Sequence, residues 1–447
     1  MGEGFLSNFF RSPTVRLLSL MAMTLVLMVP LLLIDFTISE RRGRRDSAIQ
    51  DVSAKWGLSQ QVAGPALIVP YVNRWIEPAV QGRPAVERSE TRFATFLPTK
   101  LNIKAAVQTE ARSRGIFSVP VYRLTSTLEG DFGRLPWSDL GVDPANARLD
   151  HAALVLGISD VRAIGEQPTL TWNGATAAFL PGAEHLAGAG PGIHAPIALT
   201  AADRYHFSFT VTLNGSVGLS FTPFAEMTTV TMTSPWQHPS FTGNWLPTER
   251  TVSDAGFQAT WAIPFLGRNF PQQWTSAESP DKAVVASVFG VDLIDPVDHY
   301  RMAERSVKYG GLIILLTFAT MWLIEVLAKV RVHPIQYLML GAALCLFFLL
   351  ELTVSEHLGF PTAYAIAASA IIALVSAYGV AILGRARRSA VVATGVTSLY
   401  GYLFVLLTNE DYALLIGSIG TFVILAGIMF LTRRVDWYRL AEGGVRS

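Results

Sequence analysis

Six stretches of this chain are apolar over about the 20 residues that a helix needs to cross a bilayer. They cover about residues 17–34, 309–328, 335–354, 360–383, 391–407 and 413–431, so the last third of the chain is almost continuously apolar. Few soluble folds accommodate that pattern. Charged residues make up 15% of the 447, against roughly 25% in soluble domains. The deficit lies in the apolar runs, because residues 40–308 have ordinary polarity. Net charge is +1, which gives no general signal for nucleic acid. The one cysteine, Cys345, lies in an apolar run, so no intrachain disulfide can form.

The first run follows Arg11 and Arg16, as in the basic region of a signal peptide. It is longer than the roughly 7–15 residues of a signal core, and no small-residue cleavage site follows it. It reads as an uncleaved anchor. The other runs are joined by short connections, as adjacent antiparallel helices are.

Lys and Arg in short loops set orientation. One side receives Lys329 and Arg331, then Arg385, Arg387 and Arg388, then Arg433, Arg434 and Arg439. The opposite loops carry Glu356, Glu410 and Asp411 without Lys or Arg. The basic side is expected to be cytoplasmic. Six spans then leave both termini there and put residues 40–308 outside. Arg41, Arg42, Arg44 and Arg45, directly after the first run, argue locally for the reverse, as do Arg301, Arg305 and Lys308 before the second. The three C-terminal clusters outweigh them, because long domains translocate largely regardless of charge.

The inserted region opens with a polar helix pattern over 42–56, with Ile49, Val52 and Trp56 at helical spacing. Its Arg cluster suits either anionic lipid headgroups or a solvated face. Strand signals dominate after it, over 66–72, 102–109, 117–124, 205–213 and 227–233. Asn214-Gly215 before 217–221 predicts a tight hairpin. The Gly/Ala/Pro-rich stretch 180–196 reads as a flexible surface loop. The expected architecture has four parts: a cytoplasmic N-terminus with the first span (1–39), a β-rich domain (40–308), a five-helix bundle (309–431) and a cytoplasmic tail (432–447). The β domain is expected to be an antiparallel sandwich or curved sheet.

Two constellations are candidate sites. Trp236, His238, Phe241 and Trp245 could form an aromatic recognition surface or fill a core at strand ends. Charges within apolar spans are costly and therefore informative. Glu325 is expected near the cytoplasmic end of its span, within i,i+4 reach of Lys329. Glu351, followed by Glu356 and His357, reads either as a proton or ion site or as an interfacial carboxylate. Asp292, Asp295 and Asp298 could collect a cation or form a polar linker. No nucleotide-binding, hydrolase or metal-ligand motif is present, so neither cofactor nor metal is expected.

Several segments together resemble the CreD family of bacterial inner-membrane proteins. They include Gly64-Pro65-Ala66-Leu67-Ile68-Val69-Pro70-Tyr71, Pro235-Trp236-Gln237-His238-Pro239-Ser240-Phe241-Thr242-Gly243, His333-Pro334-Ile335-Gln336-Tyr337, Ser355-Glu356-His357 and Thr432-Arg433-Arg434-Val435-Asp436-Trp437-Tyr438. They run in order over most of the chain, and 180–196 is the least family-like stretch. The resemblance implies an inner-membrane location and a role in envelope maintenance, with links to an envelope-response regulon, colicin tolerance and the β-lactam response. It supplies no catalytic residues. The expected function is non-enzymatic: binding of a periplasmic protein, a lipid or a cell-wall component, with membrane lipids as neighbours. The alternatives are a transporter or channel component using the in-membrane carboxylates, or an enzyme acting on envelope polymers. The sequence leaves the oligomeric state open.

Overall fold

The computed structural model describes residues 13–77, 85–188, 190–200, 202–293, 298–328, 330, 332–409 and 412–433. The chain forms two compact units, one of Met1–Arg45 with Val297–Ser447, the other of Asp46–Pro296. Residues 298–308 therefore group with the helices rather than with the β domain.

Helix α1 spans Pro13–Trp56 as a single 44-residue element that carries Pro30 inside it. The first span and the polar helix expected over 42–56 are thus one helix. Gly43 alone does not break it, and the pairs Arg44–Glu40 and Lys55–Asp51 stitch its polar turns at i,i+4 spacing. A short helix, α2, covers Asp281–Ala286 in the β unit. The remaining helices are α3 (His299–Lys308), α4 (Gly310–Ala328), α5 (Pro334–Leu358), α6 (Phe360–Leu383), α7 (Ala386–Thr408) and α8 (Ala413–Thr432). Among the described residues, four helices are long and apolar enough to cross a membrane, and the bent pair α3–α4 makes a fifth. The apolar part of the last helix, Ala413–Gly427, is shorter than that. Six long spans were expected from the sequence.

Local chemistry explains the helix ends. Pro334 opens α5 at the position where a missing N–H costs nothing. His333 caps it: its ring accepts from Ile335 N–H, and Gln336 reaches back to His333 N–H. Where α5 passes α1, a Cβ on Gly341 would run into Leu27, and Cys345 Sγ lies 3.8 Å from the Leu27 carbonyl. Close approach at a small residue is the usual basis of helix packing in lipid.

The β unit holds two sheets. A nine-stranded sheet runs Pro239–Gly243, Phe289–Leu293, Gly218–Thr222, Gln60–Glu77, Ala152–Ile158, Gly192–Ile197, Leu180–Pro181; Val86–Phe96 pairs with Gln60–Glu77, and Gln273–Thr275 pairs with Val86–Phe96. An eight-stranded sheet runs Glu249–Ser253, Gly256–Pro264, Met227–Ser234, Lys100–Arg114, Phe117–Gly133, Arg204–Ser216, Thr169–Trp172, Ala175–Ala178. Their inner faces share one core, with Leu67, Leu154 and Phe289 from the first and Leu124, Phe207 and Trp261 from the second.

The sheets are mixed rather than antiparallel. Gln60–Glu77 pairs in parallel with Gly218–Thr222, and Met227–Ser234 in parallel with Lys100–Arg114. Both pairings join segments more than a hundred residues apart in sequence, which alternation within a strand does not encode. The hairpin expected at Asn214-Gly215 is absent. Strand Arg204–Ser216 runs straight through those residues, and the chain crosses to the other sheet at Val217, which takes φ +65°. Gly215 is needed for close approach instead: a Cβ there would strike the Tyr122 ring. Nor is 180–196 an open loop among its described residues. It supplies strand residues at both ends, and Ala183, Leu186 and Ala187 pack with Phe224 and Trp274 in a second core.

Candidate functional site

The polar groups of the helical unit converge on α3. Asp298 caps the helix by accepting the N–H groups of Tyr300 (3.1 Å) and Arg301 (3.3 Å). The buried residues Tyr300, Ala303, Ser306 and Val307 recur at helical spacing and form its inner face. Two of them donate hydrogen bonds to carboxylates of α5. Tyr300 Oη donates to Glu356 at 2.8 Å, and Ser306 Oγ to Glu351 at 2.7 Å.

The 41–45 stretch of α1 meets the same region. Arg45 holds Asp298 through two bonds, at 2.7 and 3.1 Å, and its guanidinium lies over the Tyr300 ring. Arg41 lies 3.8 Å from Glu356, and Arg42 lies 3.4 Å from Glu304. The arginines that contradicted the loop-charge rule therefore face carboxylates. Burial alone would push the Asp298 carboxyl up; the bonds from Arg45, Arg301 and Tyr300 outweigh it and hold the group below the usual carboxylate range.

Glu351 is fully buried, and Ser306 bonds one of its oxygens; Oε1 has no hydrogen-bond partner. On α7 the buried Tyr400 hydroxyl is also without one, while Tyr364 of α6 donates to the Tyr400 carbonyl at 2.6 Å. Four helices thus contribute polar groups to an apolar bundle. Glu351 is held by a helix neighbour, and the histidine expected beside it is elsewhere: His357 is exposed in the last turn of α5.

Glu325 forms a second polar site. It pairs with Arg16 and accepts from Tyr337 Oη at 3.0 Å and Val332 N–H at 3.3 Å. A cavity of about 360 Å³ opens beside it, lined by Leu20, Met23 and Trp322. Its expected partner Lys329 lies outside the described residues, as do Arg11, Arg331, Arg434, Arg439, Glu410, Asp411 and Asp295. Asp292 sits on strand Phe289–Leu293 and Asp298 caps α3. Among the described residues no group of three or more His, Cys, Asp or Glu could hold a metal.

The aromatic candidates pack mainly inward. Phe241 meets Phe257 and Trp261 edge-on, and Trp245 meets Phe289 at 6.2 Å between ring centroids. Trp236 is half-buried against the same core and donates its indole N–H to the His238 carbonyl at 3.1 Å; the His238 side chain is exposed. Sequence reasoning missed Tyr300, Ser306 and Arg45 as members of the α3 site. Helical spacing of Tyr300, Ala303 and Val307 was the available signal.

A family model described as "Inner membrane protein CreD" matches residues 12–438. Inner membrane protein CreD of Escherichia coli (strain K12) is 32% identical over 425 residues, covering 95% of this chain and 93% of that protein. Among solved structures, an M1 zinc metallopeptidase from Deinococcus radiodurans aligns over 79% of this chain and 94% of its own at 10% identity, with a TM-score of 0.21. A likeness that weak carries no argument about fold or chemistry.

Proposed function

Because the chain belongs to the CreD family of inner membrane proteins, we propose that it supports the cell envelope as a non-enzymatic binding protein. In this reading the chain crosses the membrane six times with both termini cytoplasmic. The β unit faces the periplasm and holds a protein or cell-wall partner. The bundle anchors it among membrane lipids and senses whether the partner is held. The carrying observation is α3. This helix directly follows the β unit in the chain, its cap Asp298 is held by Arg45 just before that unit begins, and its inner face bonds Glu351 and Glu356. Displacing α3 would break these bonds together, which suits a joint better than a passive linker.

Crosslinking from the β unit in intact cells, with identification of what is captured, tests the reading. A specific periplasmic or cell-wall adduct is expected; none at any of several surface positions would refute partner binding. A second reading, transport or conduction, draws on Glu351 alone, whose free carboxyl oxygen lies deep in the bundle near the partnerless Tyr400 hydroxyl. Proton- or ion-dependent flux in vesicles, abolished by Glu351→Gln, would favour it.

A further inference from the structure

The outward face of the eight-stranded sheet is a lattice of hydroxyls. Registered pairs carry one row across Thr176, Thr171, Ser208, Glu129, Asn102 and Thr229. The next holds Thr210, Thr127, Lys104, Thr231 and Thr260, and ends on Glu249. A third holds Thr212, Thr125, Ala106, Thr233, Gln258 and Thr251. Alternation along each strand sends the intervening residues, such as Leu124, Leu128, Val230 and Trp261, into the core. Neighbouring groups are therefore about 4.8 Å apart across strands and about 6.7 Å apart along them. Two hollows lie on this face. One of about 360 Å³ is lined by Thr169, Thr171, Ser208, Thr210 and Glu166. The other, about 550 Å³, is lined by Gln108, Thr233, Thr251, Ser253 and Gln258, beside Pro235.

We propose that this face binds the glycan strands of the cell wall. The inference rests on the partner-binding reading above and names the class of partner. The charges within the rows are one base, Lys104, and two acids, Glu129 and the row-end Glu249, so the lattice offers no cationic patch for a phosphate or carboxylate polymer. It also lacks the aromatic and aliphatic centre on which protein partners are seated. Each Thr hydroxyl both donates and accepts, as sugar hydroxyls and acetamido groups do, and a flat periodic lattice suits a long repeating ligand. The β-branched side chains have restricted χ1 rotation, so little freedom is lost when a ligand is bound.

The test uses the full chain in nanodiscs, with purified insoluble sacculi and soluble β-1,4-linked N-acetylglucosamine oligomers as probes. Co-sedimentation with sacculi, competed by the oligomers, is expected. Thr125→Val with Thr233→Val keeps shape and β propensity but deletes two hydroxyls. It should weaken binding at least about tenfold, whereas the paired Ser variants stay within about threefold of wild type. Val variants that melt like wild type and bind equally would overturn the assignment of this face. Absence of wild-type binding to either probe would overturn the glycan class. If crosslinking in cells still captured a periplasmic protein, only this inference would fall; if it captured nothing, the partner-binding reading would fall with it.

Discussion

Arg45 and Asp298, 253 positions apart, clasp one another through two charge-assisted hydrogen bonds, Nη1 to Oδ1 at 2.7 Å and Nη2 to Oδ2 at 3.1 Å. Between them in the chain lies the whole β unit. Both side chains are largely buried, so solvent screens the pair less than a surface ion pair.

Removing one partner should be costly. Asp298→Ala deletes the pair and the helix cap, and is expected to cost about 1–3 kcal/mol in thermal melts of the detergent-solubilised protein. A double-mutant cycle with Arg45→Met should show coupling; strict additivity would mean the pair contributes nothing. The folded carboxyl is held below its unfolded value of about 3.9, so its contribution is full above that pH. It fades as pH falls through the lower folded value. The wild-type stability difference from Asp298→Ala should therefore shrink in acid below about pH 4 and stay constant between about pH 5 and 7.

Glu351 separates the two functional readings. Glu351→Gln preserves volume and a hydrogen-bond acceptor for Ser306, and should leave melting nearly unchanged. Ser306→Ala strips the carboxyl of its donor and should destabilise by about 1–3 kcal/mol. If the bundle only anchors and senses, cells carrying Glu351→Gln keep their envelope phenotype. Loss of function at wild-type abundance would sink the anchoring reading and support an ion or proton pathway.

Val217 holds a left-handed backbone that β-branched residues rarely adopt, and its side chain is exposed. Glycine there relieves strain worth about 1–3 kcal/mol at the cost of about 0.5–1 kcal/mol in unfolded-state entropy. Val217→Gly should therefore raise stability by up to about 2.5 kcal/mol. A clear loss would show that the crossing is unstrained.

Alkaline phosphatase fused near Gly190 should be active, and a fusion after Arg388 inactive. The opposite pair of results would invert the topology and remove any periplasmic role for the β unit.

The helices were legible because apolar runs leave little choice: 360–383 matches α6 at both ends, and 413–431 differs from α8 by one residue. The β strands were legible as segments, 205–213 and 227–233 falling within longer strands. Their pairing was not. Parallel partners far apart in sequence leave no local trace, and Asn-Gly serves a close approach to Tyr122 as readily as a turn. Among the site residues, Glu325 and Glu351 stood out by their cost in hydrocarbon. Tyr300 and Ser306 did not, because a hydroxyl in an amphipathic helix is ordinary until its acceptor is known. The arginines after the first span were visible, but only as an anomaly of charge counting; the carboxylate partners of Arg41, Arg42 and Arg45 come from segments far along the chain, beyond the β unit.

Tyr122 deserves a mechanical reading. Its strand belongs to one sheet, its ring covers Gly215 where the chain leaves that sheet, and its hydroxyl donates to the Gly218 carbonyl of the other at 2.6 Å. The Trp56 indole N–H, at the end of α1, donates to its carbonyl at 3.2 Å. One residue thus acts as a shear pin: neither sheet can slide past the other without freeing it. The two layers should accordingly denature in a single step, with slow-exchanging amides on both sides of the core opening at the same free energy.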